Sequence, residues 1–276
     1  MLHSLHIPTI SSIKSPSSQS LSSSEHPPYL LRFRTSHREN LRYLKTLGII
    51  DPSTKPHKFP SPEAVDQVLS TVNFLKSKGF SEPDFPRLSF LCPKLFSSDS
   101  DPTDIEPVFD FLTLDLAASD QESCSLILRC PQILLSDVEY CLRPTLLYLR
   151  KLGVEKLNVP TSLNAHLLNT RVERLVAKIR FLRSVGLSYE ESARACGRFP
   201  AVFGYSIENN LKPKFNYLVR EMKRSVEELK VFPQYFAFSL ENRIMPRHLH
   251  LEQRNVRISL KRMLLWSDQK FYAKWK

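Results

Sequence analysis

Lys178, Lys214 and Arg247 recur at one place in a repeating pattern, and each is followed three residues later by a ring: Phe181, Tyr217 or His250. Cations set beside rings at a regular spacing suit a nucleic acid, because each cation can neutralise a phosphate and a ring face can stack on a base. Arg143, Arg174, Arg180, Arg183, Lys212 and Arg220 are further candidates for phosphate contacts, less ordered in register. In the tail, Arg254, Arg257 and Lys261 share one face of an expected helix at i, i+3 and i+7, while Val256, Leu260, Met263 and Leu264 share another, which describes a basic amphipathic cap. The competing reading places the rings in an inter-repeat core and the cations on a solvated rim. Trp266, Phe271 and Trp275 read as a cover for the apolar end of the last repeat.

Other chemistries have little to stand on. No phosphate-binding Gly loop, HExxH or GxSxG occurs, and the spacing of His248 and His250 does not bring them together on a helix, so neither catalysis, a metal nor a cofactor is expected. The five Cys form an odd, scattered set without a CxxC pair, which reads as reduced packing thiols. No apolar stretch approaches the roughly 18–20 residues needed to span a bilayer, so membrane insertion is not expected. The 276-residue chain carries a net +11, which favours a polyanionic partner. That charge is uneven: residues 51 to 128 hold 6 basic and 13 acidic residues, whereas residues 171 to 276 hold 22 and 10.

The elements that must position these residues form an internal repeat. DIEPVFDFL, CLRPTLLYL, NLKPKFNYL and RIMPRHLHL each place Leu five residues after Pro, at Pro107, Pro144, Pro213 and Pro246. Pro131, Pro200 and Pro233 precede the last three of these by thirteen residues, and Pro93 precedes Pro107 by fourteen. Ala177, Ser70 and Glu39 extend the register, so position +5 is Leu44, Leu75, Leu112, Leu149, Leu182, Leu218 and Leu251. Position +4 is aromatic in every unit: Tyr43, Phe74, Phe111, Tyr148, Phe181, Tyr217 and His250.

Positions −2, +2 and +5 share a stripe at about 100° per residue, which predicts one long helix per unit. Ser100, Asp137, Thr170, Ser206 and Ser239 stand as N-cap residues, and Gly48, Gly79, Gly153 and Gly186 at +9 as left-handed C-terminal turns. A shorter amphipathic segment, such as ESCSLILRC or EESARACGRF, precedes each first Pro. The second Pro falls inside the long helix and should kink it. The expectation is an all-α solenoid, a superhelix of about six to seven helical units of 31 to 37 residues with paired prolines.

With its paired-Pro repeats, its LRPTLLYLRKLGV and NLKPKFNYL segments, and an ending RISLKRMLLWSDQKFYAKW with an SD-x-x-F element, the chain resembles the mTERF (mitochondrial transcription termination factor) family, in particular its plant organellar members. The resemblance covers roughly residues 38 to 276. It implies a superhelix of three-helix motifs with a basic concave side, nucleic-acid binding in an organelle, and a role in transcription termination, transcription control or RNA maturation. One unit lacks both prolines, so no base-flipping residue of the family is carried over to this chain.

The first 24 residues hold ten Ser, one Lys and no acid, which reads as a transit peptide for the chloroplast, with the mitochondrion as the alternative. The expected organisation is a disordered transit peptide over 1–36 and an mTERF-like repeat domain over 37–276, closed by a basic cap over 252–276. The expected function is plastid transcription termination or transcription regulation through double-stranded DNA, bound by a monomer. Six units at about 8–10 Å would span about 15 bp. The alternatives are an RNA-binding factor for rRNA or intron maturation, and a protein-interaction solenoid that docks partners on its acidic 51–128 region.

Overall fold

The computed structural model describes residues 36–276, so the expected transit peptide lies outside the described residues except for Ser36. Ser36 caps the first helix, His37–Thr46, in a reciprocal capping box with Glu39. Among the described residues every regular element is helical, and consecutive units pack on one another along the chain. His37–Thr46 packs on Pro62–Ser77, which packs on Pro102–Asp110, and Arg143–Lys151 packs on Val172–Ser184. The short helices follow the same order, Asp120–Arg129 meeting Ser162–Leu168 and Tyr189–Arg198 meeting Glu227–Val231. The all-α repeat expected from the register is the observed architecture.

The first proline of each pair opens a 3-10 helix: Pro93–Phe96, Pro131–Leu135, Pro200–Gly204 and Pro233–Ala237. The residue ahead of each (Cys92, Cys130, Phe199 or Phe232) has φ between −134° and −142° and ψ between 62° and 78°. A proline ring excludes its predecessor from the α region, so the preceding helix has to stop there. Where Asn164 replaces the proline, Ser162–Leu168 is instead an α-helix capped by the Thr161 hydroxyl.

The second proline does not simply kink an α-helix. Pro144, Pro213 and Pro246 each follow a π turn, at Val138–Leu142, Ile207–Leu211 and Leu240–Ile244. Proline offers no N–H and crowds the carbonyl four residues back, and the wider i→i+5 turn accommodates both defects. The unit built on Ala177 needs no such turn and runs as an uninterrupted α-helix, Val172–Ser184. Pro107 is accommodated differently, inside Pro102–Asp110, with the π turn following at Phe111–Asp115. Asp137, Ser206 and Ser239 cap their helices as expected. Ser100 does not, because Asp101 takes that role, and Thr170 yields the cap position to Arg171, which makes no side-chain capping bond.

The register Leu at +5 is buried in all seven units, at most 3% exposed. Gly48, Gly79, Gly153 and Gly186 all take positive φ, as a helix-ending turn requires. In units without that Gly, the turn falls to Ala117, Lys223 and Asn255, also at positive φ. Ala117 and Lys223 stand one residue later than the glycines, the extra residue being taken up by the π turns Phe111–Asp115 and Tyr217–Glu221.

The C-terminal cap departs from expectation. Residues 254, 257 and 261 do not share one helix, because Met245–Glu252 ends, the chain turns through Asn255 at φ 53°, and a new helix begins only at Leu260. Leu260, Met263, Leu264 and Phe271 are buried, and Trp266 and Trp275 pack against them as a cover for the last unit.

Candidate nucleic-acid interface

The expected ladder of Lys178, Lys214 and Arg247 turns inward. Lys214 is 6% and Arg247 1% exposed. The Lys214 ammonium donates to the Phe236 carbonyl at 2.7 Å and to Asn210 Oδ1 at 3.0 Å. The Arg247 guanidinium donates to the carbonyls of Met263 and Trp266 and pairs with Asp268. Thr145, at the same register position, donates its hydroxyl to the Thr170 carbonyl at 2.7 Å. In these three units position +1 is therefore a latch: its donor satisfies a carbonyl of the segment that follows. The physical reason is angular, since +1 lies only about 40° around the helix from the buried +5. Lys214 and Arg247 are withdrawn from the phosphate contacts expected of them. Lys178 is half-buried without an ion pair or hydrogen bond among the described residues, and burial together with the Arg174 charge pushes its pKa down.

The latch explains the SD-x-x-F ending. Ser267 caps Asp268–Lys274, Asp268 meets Arg247, and the buried Phe271 ring lies 4.6 Å beneath the Arg247 guanidinium carbon. The Arg247 hydrogen bond holds the Asp268 carboxyl below its ordinary pKa.

Cations that face solvent sit on another edge of the same helices, at −1, +3 and +6. Counting the extra π residue, Arg220 aligns with Arg150 and Arg183, and Lys45 and Lys76 hold the same +6 position in the first two units. Arg150, Arg180, Arg183 and Arg220 are exposed, and Arg180, Arg183 and Arg220 make no side-chain hydrogen bond or ion pair among the described residues. Arg150 donates to the Asp115 carbonyl at 2.8 Å, and its charge has no carboxylate partner among the described residues. Sequence reasoning missed Arg150; the signal was the basic residue recurring at +6.

The −1 candidates are less free. Arg143 is neutralised by Asp115, at 2.9 Å, and by Glu139, and these bonds raise its pKa. Lys212 pairs with Glu208 at 3.0 Å on the surface. Arg174 is exposed on the opposite flank of its helix, next to Lys178. Arg254 donates to the His250 carbonyl and Arg257 to that of Lys223, while Lys261, on its separate helix, is exposed and has no partner among the described residues. The twelve candidates thus divide between two flanks of the long helices, the inter-unit seam and the cap.

The +4 rings are already engaged. Lys76 donates to the Tyr43 hydroxyl at 3.0 Å and stands 5.6 Å from that ring's centre. Phe74 meets Phe109 edge-on at 5.7 Å, and Tyr217 meets His248 at 5.6 Å, with its hydroxyl 3.0 Å from Nδ1. Burial raises the pKa of Tyr148 and Tyr217. The rings therefore belong to the inter-unit packing, and the accessible chemistry of the +6 edge is that of guanidinium groups.

Burial raises the pKa of every cysteine, that of Cys196 to about 12, the opposite of what an activated nucleophile needs. No helix among the described residues is long and apolar enough to cross a membrane. The mTERF family model matches the chain in two overlapping segments, residues 4–161 and 125–272.

Proposed function

The chain belongs to the mTERF family of organellar nucleic-acid-binding helical-repeat proteins, and on that premise we propose that it binds double-stranded organellar DNA as a monomer and acts in plastid transcription termination or transcription regulation. The observation that carries this reading is the row of exposed guanidinium groups at equivalent positions in successive units, Arg150, Arg183 and Arg220, with Arg180 beside it. A repeating row of cations matches a repeating row of phosphates, and it contributes affinity without base discrimination. Engagement of the +4 rings within the protein argues for backbone contacts over stacking on single strands, which favours a duplex. The Ser-rich, acid-free first 24 residues support the plastid address.

The test is binding of duplex DNA and of single-stranded RNA by fluorescence anisotropy across a salt series. Four phosphate contacts on a duplex give a slope of log K against log salt of about −3.6, at roughly 0.9 per contact. Tighter binding to the single strand would assign the protein to RNA maturation. Binding indifferent to salt would refute the phosphate reading.

A further inference from the structure

The long-helix row changes character between its third and fourth units. A groove there is lined by Leu114, Val108 and Phe111 together with Asp104, Asp110, Asp115 and Glu139, the Arg143 guanidinium being the cation in its wall. Arg143 is spent on Asp115 and Glu139, whereas Asp104 and Asp110 are exposed and their carboxylates have no partner among the described residues. Leu114 is 80% exposed, at the place in its unit that Arg150, Arg183 and Arg220 occupy in theirs. Tyr140, 88% exposed, projects from the same π turn that supplies Glu139. A duplex following the cation row would meet uncompensated carboxylates here, so the groove is not an extension of the nucleic-acid edge.

We propose that this groove docks a basic amphipathic segment of a partner protein, an apolar side chain seating against Leu114 and Lys or Arg groups meeting Asp104 and Asp110. Charge complementarity selects the partner: the groove is acidic, and residues 51 to 128 as a whole carry 13 acids against 6 bases. Leu114 supplies the apolar anchor that separates docking from diffuse attraction. The protein would then hold nucleic acid with the cation edge of its fourth to sixth units and a cationic protein in the groove between its third and fourth.

The probe is a fluorescent amphipathic Lys–Leu helical peptide, with oligolysine as the charge-only comparison, titrated into the full chain. Leu114→Ser and the pair Asp104→Asn with Asp110→Asn alter exposed side chains, and circular dichroism verifies that the fold is kept. Each variant is expected to weaken the Lys–Leu peptide about tenfold, the equivalent of about 1.4 kcal/mol, while duplex DNA binding stays at the wild-type level. Peptide binding unchanged in either variant overturns the proposal. So does oligolysine binding as tightly as the Lys–Leu peptide, since the apolar anchor would then contribute nothing. Sedimentation of the wild type as a dimer that Leu114→Ser dissociates would assign the groove to a second copy of the chain, and overturn it equally. Because the DNA arm is read separately, failure here leaves the nucleic-acid reading distinguishable.

Discussion

Two triple substitutions separate the cations that hold the repeat together from those that face a ligand. Replacing Arg150, Arg183 and Arg220 by Ala removes three exposed side chains whose only bond among the described residues is that of Arg150 to the Asp115 carbonyl, so the thermal melt should barely move. If each neutralises one phosphate, the slope of log K against log salt should fall by about 2.7, which at about 0.15 M salt is roughly a hundredfold in affinity. Replacing Lys178, Lys214 and Arg247 should act in the opposite way. Loss of Arg247 leaves the Met263 carbonyl without this donor, whereas the Trp266 carbonyl keeps that of Arg243 at 2.6 Å, and loss of Lys214 leaves the Phe236 carbonyl without its donor. Asp268 is 70% exposed, so its ion pair is screened and adds less than the carbonyl bonds. At about 1–3 kcal/mol for a buried group left unsatisfied, Arg247→Ala alone should cost about 1–3 kcal/mol, or several degrees at about 2–4 °C per kcal/mol. The assays are a salt series of duplex binding and a melt followed by circular dichroism, on both triples. A slope unchanged in the Arg150, Arg183, Arg220 variant, or a melt unchanged in the Lys178, Lys214, Arg247 variant, would refute the assignment of these two positions.

Glu252 occupies +6 in the last unit, so Glu252→Lys should lengthen the cation row and steepen the salt slope by about 0.9, which the same anisotropy series reads. Gly197→Ala should lower the melting temperature, because a Cβ there would stand 2.6 Å from the Leu152 carbonyl oxygen, whereas Gly204→Ala, with nothing within 4 Å, should leave it unchanged. Burial lowers the His248 pKa below its ordinary 6.5, so as pH falls through about 6.5 the unfolded chain takes up this proton first and stability declines until the folded pKa is passed. His248→Phe should flatten that part of a pH series of melts; an identical profile would show that His248 does not contribute.

The sequence by itself determined the repeat. Proline and glycine act through their own backbone limits, so Pro131, Pro200 and Pro233 mark helix breaks, and Gly48, Gly79, Gly153 and Gly186 mark left-handed turns, whatever surrounds them. The Leu at +5 follows from helical period and hydrophobicity alone, and its burial in every unit is the result. The π turns were not legible, because a one-residue insertion changes no residue type; it shows only as Ala117 and Lys223 standing one place late. Tertiary structure alone decided what each cation does. A lysine at +1 and an arginine at +6 are equally basic in the sequence, yet Lys214 and Arg247 are latched to carbonyls of the following segment while Arg183 and Arg220 face water. The same holds for Arg143, which the carboxylates of Asp115 and Glu139 neutralise, and for the cap, where the turn at Asn255 separates three cations that a continuous helix would have aligned. Residue type fixes a charge, but whether that charge meets a carbonyl, a carboxylate or water depends on the neighbouring units packed against it.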